Sequence, residues 1–146
     1  PMAALSADRS TPRRDNEILV RPAAAAKKFY DGALAAIDAN GRATPGATAT
    51  TLKGVGRVER YVDNSAGADD AVQVEIRRGT WRWANSAAGD AITAADIQSD
   101  CYIVDDQTVA KTSGGNTRSV AGKIMDVDAQ GVWVRSDEAL TRAVLS

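Results

Sequence analysis

The sequence predicts an all-β fold, a compact β-sandwich or barrel of about eight short strands with an extended N-terminal arm. The clearest signal is strict alternation, in which Val72, Val74 and Ile76 face one way and the residues between them are polar. Clusters of Gly, Asn, Asp and Ser interrupt the chain at intervals of roughly ten residues, which is typical of short strands joined by turns. Only Thr93–Asp96 shows a helix start, and that segment is too short for more than a turn or two.

Composition indicates one soluble globular domain with a core of small side chains. The chain has 146 residues, of which 44% are hydrophobic and 25% charged, but aromatics make up only 5% and Phe29 is the single phenylalanine. The net charge of -1 lacks the basic excess of nucleic-acid binders, and no apolar run reaches the roughly 18 residues of a membrane span. We therefore expect neither a nucleic-acid nor a membrane partner.

The composition and patterning of the chain predict three regions: an arm over residues 1–22, a β domain over 23–137 and a tail over 138–146. The arm is polar, basic and interrupted by prolines, and its apolar strip could form one short edge strand. We expect it to become ordered only on a partner or across an oligomer interface, although a solvated, flexible N-terminus is the alternative. The candidate partner-binding residues are Leu5, Arg9, Arg13, Arg14 and Ile18.

Within the β domain, turn residues mark the strand order. Asn40-Gly41 predicts a hairpin turn in which both residues have positive φ. Residues 55–62 alternate as one strand, and the loop after it predicts that this strand lies beside residues 72–77. Later segments predict strands over 101–104 and 108–112 and a closing hairpin. No repeat of fixed period is evident, although AIDANG and DVDAQG are similar turns.

The segment Asp126–Asp137 matches much of the spacing of a calcium-binding helix–loop–helix. Its flanks alternate like strands, however, and Gln130 and Asp137 are weak substitutes for the preferred ligands. A hairpin with Gly131 in left-handed geometry explains the same residues, with Val132 and Val134 facing away from Trp133.

Other motifs for chemistry are incomplete. The segment GGNTRSVAGKI misses the first glycine and the final hydroxyl of a phosphate-binding loop. The absence of histidine removes the Ser-His-Asp triad, the Cys-His dyad and imidazole metal sites. Adjacent acids, Asp69-Asp70 and Asp105-Asp106, point apart in strands, and Cys101 is most simply a buried strand residue. We therefore predict no catalytic residue, cofactor or metal.

Trp81 and Trp83 share one face of a predicted strand. If they were exposed, they would form a platform for a sugar or a partner. In a chain this poor in aromatics, the core is the favoured location.

The order of several segments resembles the capsid decoration, or cement, proteins of tailed bacteriophages over about residues 5–135. The resemblance is carried by GALAAID, by DNSAGADDAVQVEIRRGTWRWANS, by DDQTVAKT (Asp105–Thr112) and by DVDAQGVWV (Asp126–Val134). It implies a structural virion protein without catalytic residues, made in the bacterial host cytoplasm. Such a protein binds the outer surface of the phage head and bridges major capsid protein subunits as a homo-oligomer, with a trimer favoured over a dimer.

Two other functions stay open at this stage. A carbohydrate- or receptor-binding β module would expose Trp81 and Trp83. A small hydrolase would need two carboxylates that converge in a pocket.

Overall fold

The computed structural model describes residues 4–11 and 17–136, and it confirms the all-β class. Twelve strands and two short 3-10 turns, Ala88–Asp90 and Ala94–Asp96, make up its regular structure. The strands are β1 Ile18–Pro22, β2 Lys27–Phe29, β3 Leu34–Ile37, β4 Ala43–Pro45, β5 Lys53–Val58, β6 Val62–Asn64, β7 Gln73–Arg77, β8 Gly79–Asn85, β9 Asp100–Ile103, β10 Thr108–Ala110, β11 Val120–Asp128 and β12 Gly131–Ser136.

Five strands of the N-terminal half form a sheet in the order β1-β7-β5-β3-β4. A single parallel bridge between Ala23, just after β1, and Ala43 in β4 joins the two edges of this sheet. The sheet therefore curls into a barrel that is closed at one point, and we call it the first barrel.

The C-terminal half forms a closed five-stranded barrel, the second barrel, in the order β10-β8-β12-β11-β9. All of its neighbours are antiparallel except β8 and β10, which run parallel and pair through Ala84 and Asn85. A closed sheet leaves no long unpaired edge, so the second barrel has no side on which another strand could easily add.

The two barrels repeat one topology. Numbered along the chain within each barrel, the neighbour order is first, fifth, fourth, second, third, and a parallel contact joins the third strand to the first. The repetition extends to hydrogen-bond register, because Ala35 lies opposite Gly56 just as Cys101 lies opposite Gly122, with the same spacing along the chain. Both strand pairs also have a β-bulge directly after these partners. The sequence shows no repeat of fixed period, so this repetition is visible only in the structure.

The interiors of the barrels correspond as well. At five equivalent positions, both barrels have a fully buried side chain. These pairs are Ala35 and Cys101, Ala43 and Val109, Val58 and Ile124, Val74 and Val132, and Ile76 and Val134. The first barrel carries the smaller side chains in three of the pairs, as expected for a chain rich in alanine.

The barrels are fused through a common apolar layer. Leu34, Ala36 and Leu52 belong to the first half of the chain, yet they pack in the same cluster as Trp83 and Ile124 of the second barrel. Strand β5 also lies against β11, its counterpart in the second barrel. The two halves therefore share part of one core.

Strands β2 and β6 stand outside both barrels and pair only with each other within the described residues. They lie in the two connections that join β1 to β3 and β5 to β7. We call this two-stranded element the ribbon. In the second barrel, the corresponding connections are a segment with two 3-10 turns and the two-residue turn Ala129-Gln130.

Several strand predictions need correction. The estimate of about eight strands was too low, because short three-residue strands give no alternation to detect. The strand expected over 55–62 is interrupted at 59–61, where β5 ends and the chain turns into the ribbon. Residues 18–22 pair with β7 of the same chain rather than belonging to a separate arm, so the short edge strand is confirmed and the boundary of the β domain moves to Ile18.

Two turns also differ in detail. Gly41 has a φ of 80°, but Asn40 does not have positive φ, because Asp38 holds the turn through bonds from the amides of Asn40 and Arg42 at 2.9 Å each. The closing hairpin is confirmed, with Val132 and Val134 buried. At Gly131, φ is 156°, a positive value that favours glycine as expected, and a Cβ there would collide with the Trp83 carbonyl.

Candidate interaction surfaces

The N-terminal segment is exposed where the structure describes it. Residues 4–11 have no buried side chain, and Leu5 is 73% exposed. Arg9 is also exposed, Ile18 is half-buried in β1, and Arg13 and Arg14 lie outside the described residues. Among its described residues, the structure places Leu5 and Arg9 in this exposed segment and Ile18 in β1. It shows a polar, exposed segment ahead of a fixed strand.

Strand β1 has one edge paired with β7, and Leu19 packs against the core of the first barrel, but the other edge of the strand is held only near its end. Arg21 donates from Nε to the Gly41 carbonyl at 2.8 Å, and Ala23 forms the bridge to β4. Val20, one residue before Arg21, is 42% exposed. An edge of this kind can accept a further strand through backbone hydrogen bonds.

Trp81 and Trp83 do not form the exposed platform that was the alternative to a location in the core. Trp83 is only 5% exposed and lies in the core of the second barrel, as favoured from the sequence. Trp81 packs against the same cluster, its Nε1 donates to the Arg77 carbonyl at 3.1 Å, and the Arg57 guanidinium covers its ring at 4.2 Å from the centroid.

Glu59 holds the guanidinium groups of Arg57 and Arg77 in place. It accepts hydrogen bonds from Arg57 at 2.8 Å and from Arg77 at 3.2 Å. The bond from Arg57, followed by that from Arg77, lowers the pKa of Glu59, although partial burial opposes the shift. This cluster is a structural ion-pair network that covers Trp81.

In the described part of the motif that resembles a calcium loop, the chain forms a hairpin, and the carboxylates of Asp126 and Asp128 already accept hydrogen bonds. Asp128 accepts hydrogen bonds from the amides of Gln130 and Gly131 and from the indole of Trp133 at 2.8, 3.0 and 2.9 Å. The Trp133 bond is the largest of the effects that lower the pKa of Asp128. Across residues 4–11 and 17–136, no three Asp, Glu, His or Cys side chains converge as a metal site would require, and Asp137 lies outside that part.

The segment that resembles a phosphate loop is split between a turn and a strand. Residues 113–118 form a tight turn in which Arg118 donates to the Thr112 carbonyl and to Asp90. Gly122 and Lys123 lie within β11, where Lys123 pairs with Asp100 at 2.8 Å. The loop that should precede a helix is therefore absent from this segment.

Neither Cys101 nor the first acid pair is placed for chemistry. Cys101 is fully buried, and burial, with a smaller effect of Asp100, raises the pKa of its thiol to about 12. Asp69 accepts the Ala25 amide at 2.8 Å, and Arg42 pairs with Asp70 at 3.0 Å. These carboxylates hold the ribbon and its loop against the first barrel.

The second acid pair leads to a pocket that sequence reasoning did not find. Asp106 and Gln107, between β9 and β10, meet residues 30–33, between β2 and β3, around an open pocket of about 340 Å³. Tyr30 at its edge packs against Tyr61 with ring centroids 5.8 Å apart. Both rings are about half exposed, at 54% and 52%. A Tyr-Asp dipeptide before a glycine was the only available signal, and it does not reveal that a distant loop joins it.

No helix in the described part of the chain is long and apolar enough to cross a membrane. Comparison with known proteins adds no assignment: no protein-family model, curated protein or solved structure matches the chain.

Proposed function

We propose that the chain is a structural protein of a phage particle that binds the outer surface of the head. In this role it bridges neighbouring major capsid protein subunits as a homo-oligomer, with a trimer favoured over a dimer, and does no catalysis. The observation that carries the proposal is the exposed segment of residues 4–11 ahead of the edge strand β1. The sequence resemblance to capsid decoration proteins points in the same direction.

The physical logic is that of a rigid body with a reaching arm. Fully extended, the residues before Ile18 span about 55 Å, enough to reach a neighbouring subunit. An arm of this kind can bind by adding a strand to a partner's sheet. Weak individual contacts become strong when one oligomer engages several subunits at once.

Cosedimentation with purified heads that lack the protein tests this proposal. The full chain should pellet with heads, and a variant that lacks residues 1–16 should bind at least about tenfold more weakly. This deletion ends before β1, so it preserves the β1–β7 pairing.

The arm's charges can be tested separately. Replacement of Arg9, Arg13 and Arg14 by alanine should weaken head binding, whereas Lys53→Ala, an exposed cation in β5, serves as the matched control. Equal occupancy of heads by the full chain and the deletion variant would contradict the arm's role, and a full chain that does not bind heads would contradict the function itself.

The alternative functions receive less support. A sugar-binding module built on Trp81 and Trp83 needs both rings at the surface, whereas Trp83 is buried. An acid-pair hydrolase would draw on Asp31 and Asp106, which line one open pocket, but neither residue is buried as a general acid with a raised pKa usually is.

A further inference from the structure

The ribbon is the principal element that the first barrel has and the second lacks. The second barrel reaches the same strand order with the two-residue turn Ala129-Gln130 between its fourth and fifth strands. In the first barrel, that connection is the much longer segment 59–72, which includes β6. The strand order alone therefore does not require the ribbon, and its exposed end calls for another explanation.

The ribbon is held firmly in place. Phe29 from β2 is fully buried in the core of the first barrel. Asn64 from β6 is 3% exposed, and its Nδ2 donates to the carbonyls of Ala24 and Ala68 at 2.9 and 3.1 Å. The ribbon therefore holds its exposed side chains in a fixed position.

At its end, the ribbon presents two aromatic rings to solvent. Tyr30 and Tyr61 follow and precede the paired residues Phe29 and Val62, and their ring planes are tilted by 52°. They are two of the few large apolar or aromatic side chains that are exposed in the described residues. Aromatic rings in such a position are typical anchors of a binding surface.

The pocket beside Tyr30 adds negative charge. Asp31 and Asp106 both line it, and neither carboxylate has a cationic partner within the described part of the chain. The Leu34 amide donates to the Asp106 carbonyl at 2.7 Å, and Asp105 accepts the Gln107 amide at 2.9 Å, so the loop is fixed. The pocket therefore combines aromatic surface with two uncompensated carboxylates.

We propose that the tyrosine pocket, which is lined by Tyr30, Asp31, Asp106 and Gln107 and beside which Tyr61 packs on Tyr30, binds a lysine or arginine side chain of the major capsid protein. The aliphatic stem of that side chain would lie on the tyrosine rings, and its cationic head would meet the carboxylates. The charge of the pocket selects a cation over a neutral sugar. The identity of the partner rests on the function proposed above, whereas the selection of a cation does not.

The chemistry of the pocket is tested first, without any capsid. In an NMR titration of the full chain, Nα-acetyl-arginine amide should shift the amide signals of Gly32, Asp106 and Gln107, and Nα-acetyl-citrulline amide, its uncharged analogue, should shift them at least about fivefold less. The D31N/D106N variant should lose the response, whereas Asp126→Asn, an exposed acid in β11, should retain it. Equal shifts from both amides, or none, would overturn the proposal.

The partner is tested with heads. The Tyr30→Ser and Tyr61→Ser double variant, with its arm intact, should bind heads at least about tenfold more weakly than the wild type, and Met125→Ser, an exposed residue of β11, should bind normally. If the double variant binds heads as tightly as the wild type does, this proposal is overturned but the proposed function is not. A wild type that fails to bind heads would overturn the proposed function and, with it, the capsid as the source of the cation.

A third outcome assigns the pocket to another occupant. If the double variant binds heads normally but loses self-association in analytical ultracentrifugation, a second copy of the chain, rather than the capsid, occupies the pocket.

Discussion

The two barrels have the same backbone topology but different side chains. Leu34–Val58 and Asp100–Ile124 correspond residue by residue at a constant offset, yet only three of these pairs are identical. The identical pairs are Ile37 and Ile103, Thr51 and Thr117, and Gly56 and Gly122. Strand pairing depends on the backbone hydrogen bonds that nearly every residue can make, whereas the interior requires only apolar side chains of about the right volume.

The barrels also differ in how far each stands alone. The core of the first contains only its own residues, whereas the core cluster of the second includes Leu34, Ala36 and Leu52 from the other half. A repeated topology therefore does not mean that each barrel can fold by itself. The following predictions test how far the equivalence extends.

The largest effect is expected when the halves are separated. Residues 79–136, which contain the whole second barrel, should not fold alone, because Leu34 and Leu52 no longer cover its core. Loss of the near-ultraviolet circular dichroism of its tryptophans would show this. Restoration of that signal by added residues 1–78 is the matching control, and a cooperative unfolding transition of the isolated half would refute the shared core.

The glycines that both barrels share should respond alike to substitution. Gly56 and Gly122 have φ of 155° and 159°, and a Cβ at either would collide with the carbonyl of Arg77 or Arg135. Each change to alanine should lower the free energy of unfolding by about 3 kcal/mol through backbone strain and displacement of the neighbouring strand.

Gly89→Ala is the control for this pair, since a Cβ there meets no atom within 4 Å. Denaturant unfolding should show that this variant loses less than about 0.5 kcal/mol of unfolding free energy. If the losses of unfolding free energy at Gly56 and Gly122 were strongly unequal, the fourth strands of the two barrels, β5 and β11, would not be equivalent.

A smaller effect in acid should come from Glu59, which has no counterpart in the second barrel. Hydrogen bonds from Arg57 and Arg77 lower the pKa of Glu59 below its usual 4.5. A lowered folded-state pKa stabilises the protein above the unfolded-state value, and this stability is lost as pH falls from about 4.5 through the folded-state pKa. At equivalent positions of the second barrel, Lys123 and Arg135 pair in register, but β12 follows β11 directly and no counterpart of Glu59 lies between them.

Glu59→Gln should therefore flatten the dependence of unfolding free energy on pH below 4.5, by about 1 kcal/mol or less. Urea unfolding between about pH 3 and pH 7 measures this slope. An unchanged slope in the variant would show that the network over Trp81 contributes nothing to acid stability.

Local patterns in the sequence were enough to predict the all-β class, the burial of Trp83 and the closing hairpin, because period-two alternation and turn residues act over short distances along the chain. They also indicated that Asp126–Asp137 is a poor metal loop, which agrees with the occupied carboxylate of Asp128.

The repeated topology, the place of β1 in the first barrel and the pocket between Tyr30 and Asp106 emerged only from the folded chain. Each depends on which distant segments meet. Backbone pairing leaves almost no trace in side-chain identity, so the register that the two barrels share was invisible in the sequence. The pocket joins the loop after β2 to the loop before β10, which are far apart along the chain, and no local pattern records that contact.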